Sequence, residues 1–251
     1  MPIQTRSEPI AMPGGGDMEA YVALPASGRG PGLLVLMEIF GVGTYIRRAA
    51  ERLAELGYVA LAPDLYRRTA PGAEFDHDQA GLQQAFAAMS ELDLAGAVED
   101  SVVALDHLRQ LPEVTPPIVD HLRHLPEVAP PVGVLGFCLG GALAFEVAIA
   151  SDPALAVCYY GSGVADALSR SDRITCPVLF HFGAEDQYIA LEDAQRVCDA
   201  AEQRPGWECH IQPDAGHAFD NHDSEMFHRP EPAARAWALT SGFLARELPA
   251  A

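Results

Sequence analysis

Gly136-Phe137-Cys138-Leu139-Gly140-Gly141 joins two segments of different character. Val132-Gly133-Val134-Leu135 before it is a short apolar run of the kind that forms a buried strand, and Ala142 to Ala148 after it has the composition of a helix. A side chain held at such a strand-to-helix turn projects above the sheet edge, and flanking glycines remove groups that would collide with the turn. The pattern is a nucleophile elbow with cysteine in the place usually taken by serine. The helix N-terminus that follows lowers the free energy of a thiolate. A buried packing cysteine in a Gly-rich turn has the same local sequence, so the reading depends on what surrounds it.

Working outward, apolar runs alternate with amphipathic helical segments along nearly the whole chain. That is the pattern of an α/β fold with a mostly parallel central sheet and helices on both faces. The expected strands are Ala20 to Leu24, Leu33 to Met37, Val59 to Ala62, Val132 to Gly136, Ala154 to Tyr160, Val178 to Phe182 and Glu208 to Gln212. The expected helices are Tyr45 to Leu56, Gln79 to Met89, Leu94 to Leu111, Gly141 to Ala150, Glu192 to Ala201 and Ala233 to Arg246. No boundary divides the 251 residues, which suit one domain with a sizeable core. His107-Leu108-Arg109-Gln110-Leu111-Pro112-Glu113-Val114 recurs as His121-Leu122-Arg123-His124-Leu125-Pro126-Glu127-Val128. Two copies do not make a solenoid. Their prolines interrupt any continuous helix, so the 14-residue duplication at about 107–134 reads as a surface insertion.

A cysteine nucleophile needs a base to take its proton and a carboxylate to orient that base. After the strand ending at His181-Phe182 comes Gly183-Ala184-Glu185-Asp186, and after the strand ending at Gln212 comes Gly216-His217-Ala218-Phe219. The order nucleophile, acid, histidine is that of the α/β-hydrolase fold. Cys138, Asp186 and His217 are therefore the expected catalytic residues, with Glu185 the competing carboxylate. The other histidines, including His181, His210, His222 and His228, read as structural or exposed.

An acyl-transfer oxyanion needs two donors already in place. The backbone N–H of Leu139 begins the helix after the nucleophile and is one candidate; the N–H of Ile39, in the turn Met37-Glu38-Ile39-Phe40-Gly41, is the other. Glu38 is the unexpected residue there. By composition alone it reads as an exposed charge at a strand end.

Five motifs together resemble the dienelactone hydrolase family: Met37-Glu38-Ile39-Phe40-Gly41, Ala62-Pro63-Asp64-Leu65-Tyr66, Gly136-Phe137-Cys138-Leu139-Gly140-Gly141, Tyr159-Tyr160-Gly161 and Gly216-His217-Ala218-Phe219. The resemblance runs from about Met18 to the C-terminal helix. It implies an α/β-hydrolase fold with no large cap domain, a Cys138-Asp186-His217 triad, and a Glu38 that helps deprotonate Cys138 when substrate binds. It also implies a carboxylic ester hydrolase acting on a small ester or lactone, of carboxymethylenebutenolidase type, through a Cys138 acyl-enzyme.

The departures bear on substrate. Well-studied members hold the substrate carboxylate with one arginine shortly after Gly-His-x-Phe and another in the segment before the central helix. Here Phe219 is followed by Asp220 and Asn221, and the segment around Leu82, Gln83, Gln84 and Phe86 contains no arginine. Arg67 and Arg68 either supply replacement charge or lie on the surface. Phe40, Phe86, Tyr160 and Phe219 read as pocket walls or as ordinary core. The missing arginines favour a hydrolase of neutral esters or thioesters as the rival reading. A non-catalytic thiol-reactive binding or redox-sensing protein is the reading from another class.

Composition excludes other classes. Apolar residues make up 49% and charged residues 20% of the chain, as in ordinary globular proteins. A net charge of -19 argues against nucleic acid as a partner. No leader-like or membrane-length apolar run occurs, so the chain is expected to be cytoplasmic, with a small-molecule substrate and no membrane partner, as a monomer or small homo-oligomer. Cys138, Cys158, Cys176, Cys198 and Cys209 are odd in number and lack C-x-x-C spacing, which points away from disulfides and zinc. All but Cys138 read as packing residues. No metal-spaced His/Cys set or Gly-rich phosphate loop is present, so no cofactor is expected.

Overall fold

The computed structural model describes residues 2–115 and 131–250. Eight strands form one sheet in the order β1-β2-β4-β3-β5-β6-β7-β8. They are β1 (Gln4–Ala11), β2 (Asp17–Leu24), β3 (Gly32–Leu36), β4 (Val59–Pro63), β5 (Val132–Phe137), β6 (Ala156–Tyr159), β7 (Val178–Gly183) and β8 (Trp207–Gln212). β1 pairs with β2, and β2 with β4, antiparallel; every other pairing is parallel. The helices are α1 (Thr44–Glu55), α2 (Gln79–Ser90), α3 (Leu94–Gln110), α4 (Leu139–Ala150), α5 (Val164–Ala167), α6 (Leu191–Glu202) and α7 (Pro230–Glu247), with a 3-10 turn at Leu168–Arg173.

All residues of β3, β4 and β5 are buried, as parallel strands covered on both faces require. Neighbouring residues of β7 reveal the two layers. Phe180 packs on Phe145 of α4 with ring centroids 5.7 Å apart, while His181 Nε2 lies 3.0 Å from the Thr240 hydroxyl of α7. Successive strand residues face opposite sides, so α4 and α7 cover opposite faces. Arg52 of α1 lies over the Trp237 ring of α7 at 3.6 Å, which joins those two helices into one layer.

Each expected strand and helix occurs, with ends within three residues of those read from the sequence. β1, α5 and the 3-10 turn are additional. β1 escapes pattern reading because it is an edge strand, mostly exposed, with Pro9 inside it. The first repeat copy ends α3 and then docks: Thr115 N–H donates to Gly30 C=O at 2.9 Å, and Gly30 N–H to Glu113 C=O at 3.1 Å. The second copy, at 121–128, lies outside the described residues. No helix among the described residues is long and apolar enough to cross a membrane.

One cysteine expectation is corrected. Cys198 on α6 and Cys209 on β8 form a disulfide, with their Cα atoms 5.0 Å apart. Helix α6 packs directly on β8, and this contact brings together two residues whose spacing carries no motif. Cys158 and Cys176 are free and buried.

Candidate active site

Cys138 sits between β5 and α4 with φ 54° and ψ -115°, a backbone region that a residue bearing a side chain seldom occupies. Close backbone packing forces the turn. A Cβ on Gly136 would overlap the carbonyl of Gly140, and one on Gly140 the carbonyl of Leu36. Cys138 N–H donates to Tyr159 C=O at 3.0 Å, tying the elbow to the neighbouring strand.

Loops after β7 and β8 bring the two partners to it. His217 Nε2 lies 3.1 Å from Cys138 Sγ, and His217 Nδ1 lies 2.8 Å from Asp186 Oδ2. The other Asp186 oxygen accepts the backbone N–H groups of Tyr188 at 2.8 Å and Ile189 at 3.0 Å, so the carboxylate is fixed before it meets the histidine. Its side chain is 1% exposed, whereas Glu185 faces solvent. Burial opposes the imidazolium of His217, but the Cys138 sulfur and the Asp186 carboxylate outweigh it and raise the group to about 10. His217 is thus placed to hold a proton beside the Cys138 sulfur.

Cys138 opens into a cavity of about 870 Å³, lined by Glu38, Ile39, Phe40, Phe86, Leu139 and His217 and by a largely apolar wall that includes Leu82, Met89, Val98, Leu143 and Phe227. No arginine lines it among the described residues, and the chain contains no lysine at all. Tyr188 packs edge-on against His217, with ring centroids 5.0 Å apart, and 5.9 Å from Phe86.

The backbone around Ile39 is held from two sides. Glu38 C=O, whose peptide carries the Ile39 N–H, accepts Gly41 N–H at 3.2 Å, and Ile39 C=O accepts the Tyr66 hydroxyl at 2.8 Å. Among the described residues neither the Ile39 nor the Leu139 N–H donates to a protein acceptor. Leu139 is the first residue of α4, where amides lack intrahelical partners.

Glu38 is 1% exposed and so is not a strand-end surface charge. Asn221 Nδ2 donates to its Oε2 at 2.7 Å, and the Tyr160 hydroxyl lies 3.5 Å from its Oε1. Burial pushes the carboxyl up to about 8, against the lowering influence of His217 and Asn221.

Four of the residues expected to contact substrate lie elsewhere. Arg67 and Arg68 do not reach the cavity: both guanidinium groups pair with Asp100 of α3, Arg67 through contacts of 2.8 and 3.1 Å and Arg68 at 2.8 Å. Tyr160 and Phe219 are fully buried and do not line the cavity; their rings pack on each other, with centroids 5.3 Å apart. Phe40 and Phe86 do line it. Asn221, Asp220 and Tyr45 gain a role only in the folded chain, since nothing in the local sequence links them to Glu38.

The sequence model of the dienelactone hydrolase family matches residues 18–248. A carboxymethylenebutenolidase of Pseudomonas sp. strain P51 is 35% identical over 237 residues, covering 94% of this chain and 93% of the relative. A carboxymethylenebutenolidase of Pseudomonas putida is 33% identical over 201 residues, covering 80% of this chain and 79% of the relative. The solved structure of a dienelactone hydrolase-like promiscuous phosphotriesterase from metagenomic libraries superposes with a TM-score of 0.78 at 23% identity, over 99% of this chain and 100% of that one. That likeness shows the α/β-hydrolase fold.

Proposed function

This chain belongs to the dienelactone hydrolase family, hydrolases of ester and lactone bonds, and from that premise we propose that it cleaves a small ester or lactone through an acyl-enzyme on Cys138. The observation that carries this reading is the line Cys138 Sγ, His217 Nε2, His217 Nδ1, Asp186 Oδ2, with contacts of 3.1 and 2.8 Å, ending in the cavity. The thiolate attacks the carbonyl carbon, and the oxyanion is received by the N–H groups of Ile39 and Leu139. As the C–O bond breaks, the leaving alkoxide takes the proton of His217; for a lactone, the ring opens and both ends remain on the enzyme. His217 then activates water to cleave the thioester and release the thiolate. Asp186 holds the imidazole in orientation throughout. Glu38, when ionised, is a second acceptor for the thiol proton and favours its loss on substrate binding.

A second reading concerns the substrate. The relatives are named for a butenolide, a lactone, bearing a carboxymethylene group, an anion at neutral pH. The cavity has no arginine or lysine among its described lining residues, His217 is its one basic group there, and the chain carries a net charge of -19, which together favour neutral esters, lactones or thioesters. Steady-state rates on cis- and trans-dienelactone beside a neutral aryl ester of similar size, with Cys138→Ala as blank, test both readings. Cys138-dependent turnover of either class supports the acyl-enzyme, and preference for the neutral ester supports the second reading. Turnover that survives in Cys138→Ala excludes the acyl-enzyme; thiol labelling of Cys138 without turnover leaves a thiol-reactive binding or redox-sensing protein.

A further inference from the structure

Glu38 is one end of a buried row of hydroxyl and carboxyl groups. The Tyr160 hydroxyl lies 3.5 Å from Glu38 Oε1, the Tyr45 hydroxyl lies 3.2 Å from that of Tyr160, and the Tyr45 hydroxyl lies 2.8 Å from Asp220 Oδ2. All four residues are 1% exposed or less. Burying so many polar groups is costly unless their hydrogen bonds are made, and the triad makes no use of Tyr160, Tyr45 or Asp220.

The row has a definite proton requirement. Each tyrosine hydroxyl carries one proton to donate, and an ionised carboxylate carries none. Hydrogen-bonding all three contacts takes three protons and the two tyrosines supply two; with both carboxylates ionised each tyrosine donates to its carboxylate, and the 3.2 Å Tyr45–Tyr160 contact is left without a proton. A third proton completes the row in either of two ways. Held by Glu38, it lets Glu38 donate to Tyr160, Tyr160 to Tyr45, and Tyr45 to the Asp220 carboxylate. Held by Asp220, it lets the same bonds run in the opposite direction and leaves Glu38 ionised.

We propose that Glu38 and Asp220 share one proton through Tyr160 and Tyr45, which makes Asp220 a positioning residue that sets the ionisation of Glu38 from the far end of the row. Its consequence for catalysis rests on the reading of Glu38 given above. In the transfer, the Glu38 O–H bond breaks as Tyr160 oxygen gains that proton, Tyr160 passes its own proton to Tyr45, and Tyr45 passes its own to Asp220. One proton moves in net terms, and both tyrosines end neutral. Glu38 thereby becomes a carboxylate in the cavity that Cys138 also lines, with no exchange of protons with solvent while substrate fills it.

The surroundings of the two ends support the sharing. Glu38 faces His217 and Asn221 from the loop after β8, Tyr160 from the end of β6, and Cys138 across the cavity. Asp220 faces Tyr45 and Arg52 of α1, with Arg52 Nη1 at 3.4 Å, and Tyr159 of β6; His222 Nδ1 lies 3.2 Å from its backbone carbonyl. Asn221 thus favours ionised Glu38, and Arg52 favours ionised Asp220, so neither end holds the proton without competition. Asp220 Oδ1 is buried with no hydrogen-bond partner among the described residues. Burial raises Glu38 to about 8, which keeps a proton in the row at neutral pH, and brings Asp220 up to about 6, which narrows the gap between the two ends.

Infrared titration of protonated carboxyl groups in the intact protein tests the proposal without relying on turnover, with Glu38→Gln identifying the band. Asp220→Asn and Tyr45→Phe are expected to move the loss of that band to lower pH by about one unit, a tenfold change in the protonated-to-ionised ratio. Tyr45→Phe keeps the ring that packs on Phe137, so the second variant cuts the row while preserving the core. Titration unchanged in both variants overturns the proposal. A merely structural role for Asp220 would lower stability and leave the band where it is. If the band shifts and the pH profile of kcat/KM shifts with it, the shared proton acts in catalysis. If the band alone shifts, the shared proton stands and the catalytic role of Glu38 falls.

Discussion

Asn221 Nδ2 donates to Glu38 Oε2 at 2.7 Å, so a buried carboxyl in the cavity wall is answered by a neutral amide and not by a cation. A guanidinium there would hold Glu38 ionised by direct attraction. With an amide in its place, burial dominates, and the carboxyl rises to about 8.

That shift has a consequence for stability. An ordinary glutamate loses its proton near 4.5, and Glu38 loses it near 8 in the folded protein. Between those values the native state holds a proton that the unfolded chain has released, so stability falls as pH rises through this window and stays lower above it. Glu38→Gln keeps an acceptor for Asn221 and removes the titration. Its unfolding free energy from denaturant titration is expected to exceed that of the wild type near pH 9, by on the order of a few kcal/mol, and to converge with it near pH 5. Parallel stability curves for the two proteins would mean that Glu38 is not held protonated by the fold.

His217 is raised to about 10 by Cys138 and Asp186 against burial, so it keeps its proton beside the sulfur from its ordinary value of 6.5 up to that pH. Alkylation of Cys138 by iodoacetamide at neutral pH is therefore expected to draw on that neighbouring positive charge. In His217→Ala the neighbouring positive charge is gone, and the rate is expected to fall at neutral pH and to climb with added base. Wild-type and variant profiles of the same shape would show that the imidazolium does not stabilise the thiolate.

The Cys198–Cys209 bond closes a short loop between α6 and β8, 11 residues apart in sequence. Loops of about that length contribute roughly 3 kcal/mol by restricting the unfolded chain. Paired Cys198→Ala and Cys209→Ala substitutions are expected to lower the unfolding free energy from urea titration by about that amount while leaving Cys138-dependent turnover unchanged. Non-reducing mass spectrometry of the purified protein checks the bond directly.

What the sequence discloses, and what it hides, follows from how local each feature is. Cys138, Asp186 and His217 each lie in a short motif at a strand end, and a parallel sheet brings successive strand ends to one edge. Chain order alone therefore brings the three together. The partner of Arg67, a residue of the turn after β4, is Asp100 of α3, 33 positions along the chain, and no pattern around either residue announces the pair. Tyr160 and Phe219 carry the same aromatic signature as Phe40 and Phe86, and only their packing in the folded chain, on each other and on Tyr159, decides that the first two fill the core. Asp220 and Asn221 are visible as the absence of an arginine. Their hydrogen bonds to Tyr45 and Glu38 span 175 and 183 positions, a separation at which spacing carries no information.

Substrate charge is the property most open to a single substitution. Leu82 of α2 lines the cavity and is only partly buried, so an arginine there has room to extend its stem along the wall and bring its guanidinium inside. The wall around Leu82 is largely apolar, and a cation in such surroundings attracts a carboxylate more strongly than it would in water. Leu82→Arg is expected to raise the ratio of kcat/KM for a carboxylate-bearing lactone to that for a neutral ester by about tenfold, equivalent to about 1.4 kcal/mol of differential transition-state binding. The gain should shrink as salt is added, because an electrostatic contribution at a partly open cavity is screened. An unchanged ratio at low ionic strength would mean that the missing cation does not limit the choice of substrate, and that the shape of the apolar wall around Leu143 and Phe227 sets it.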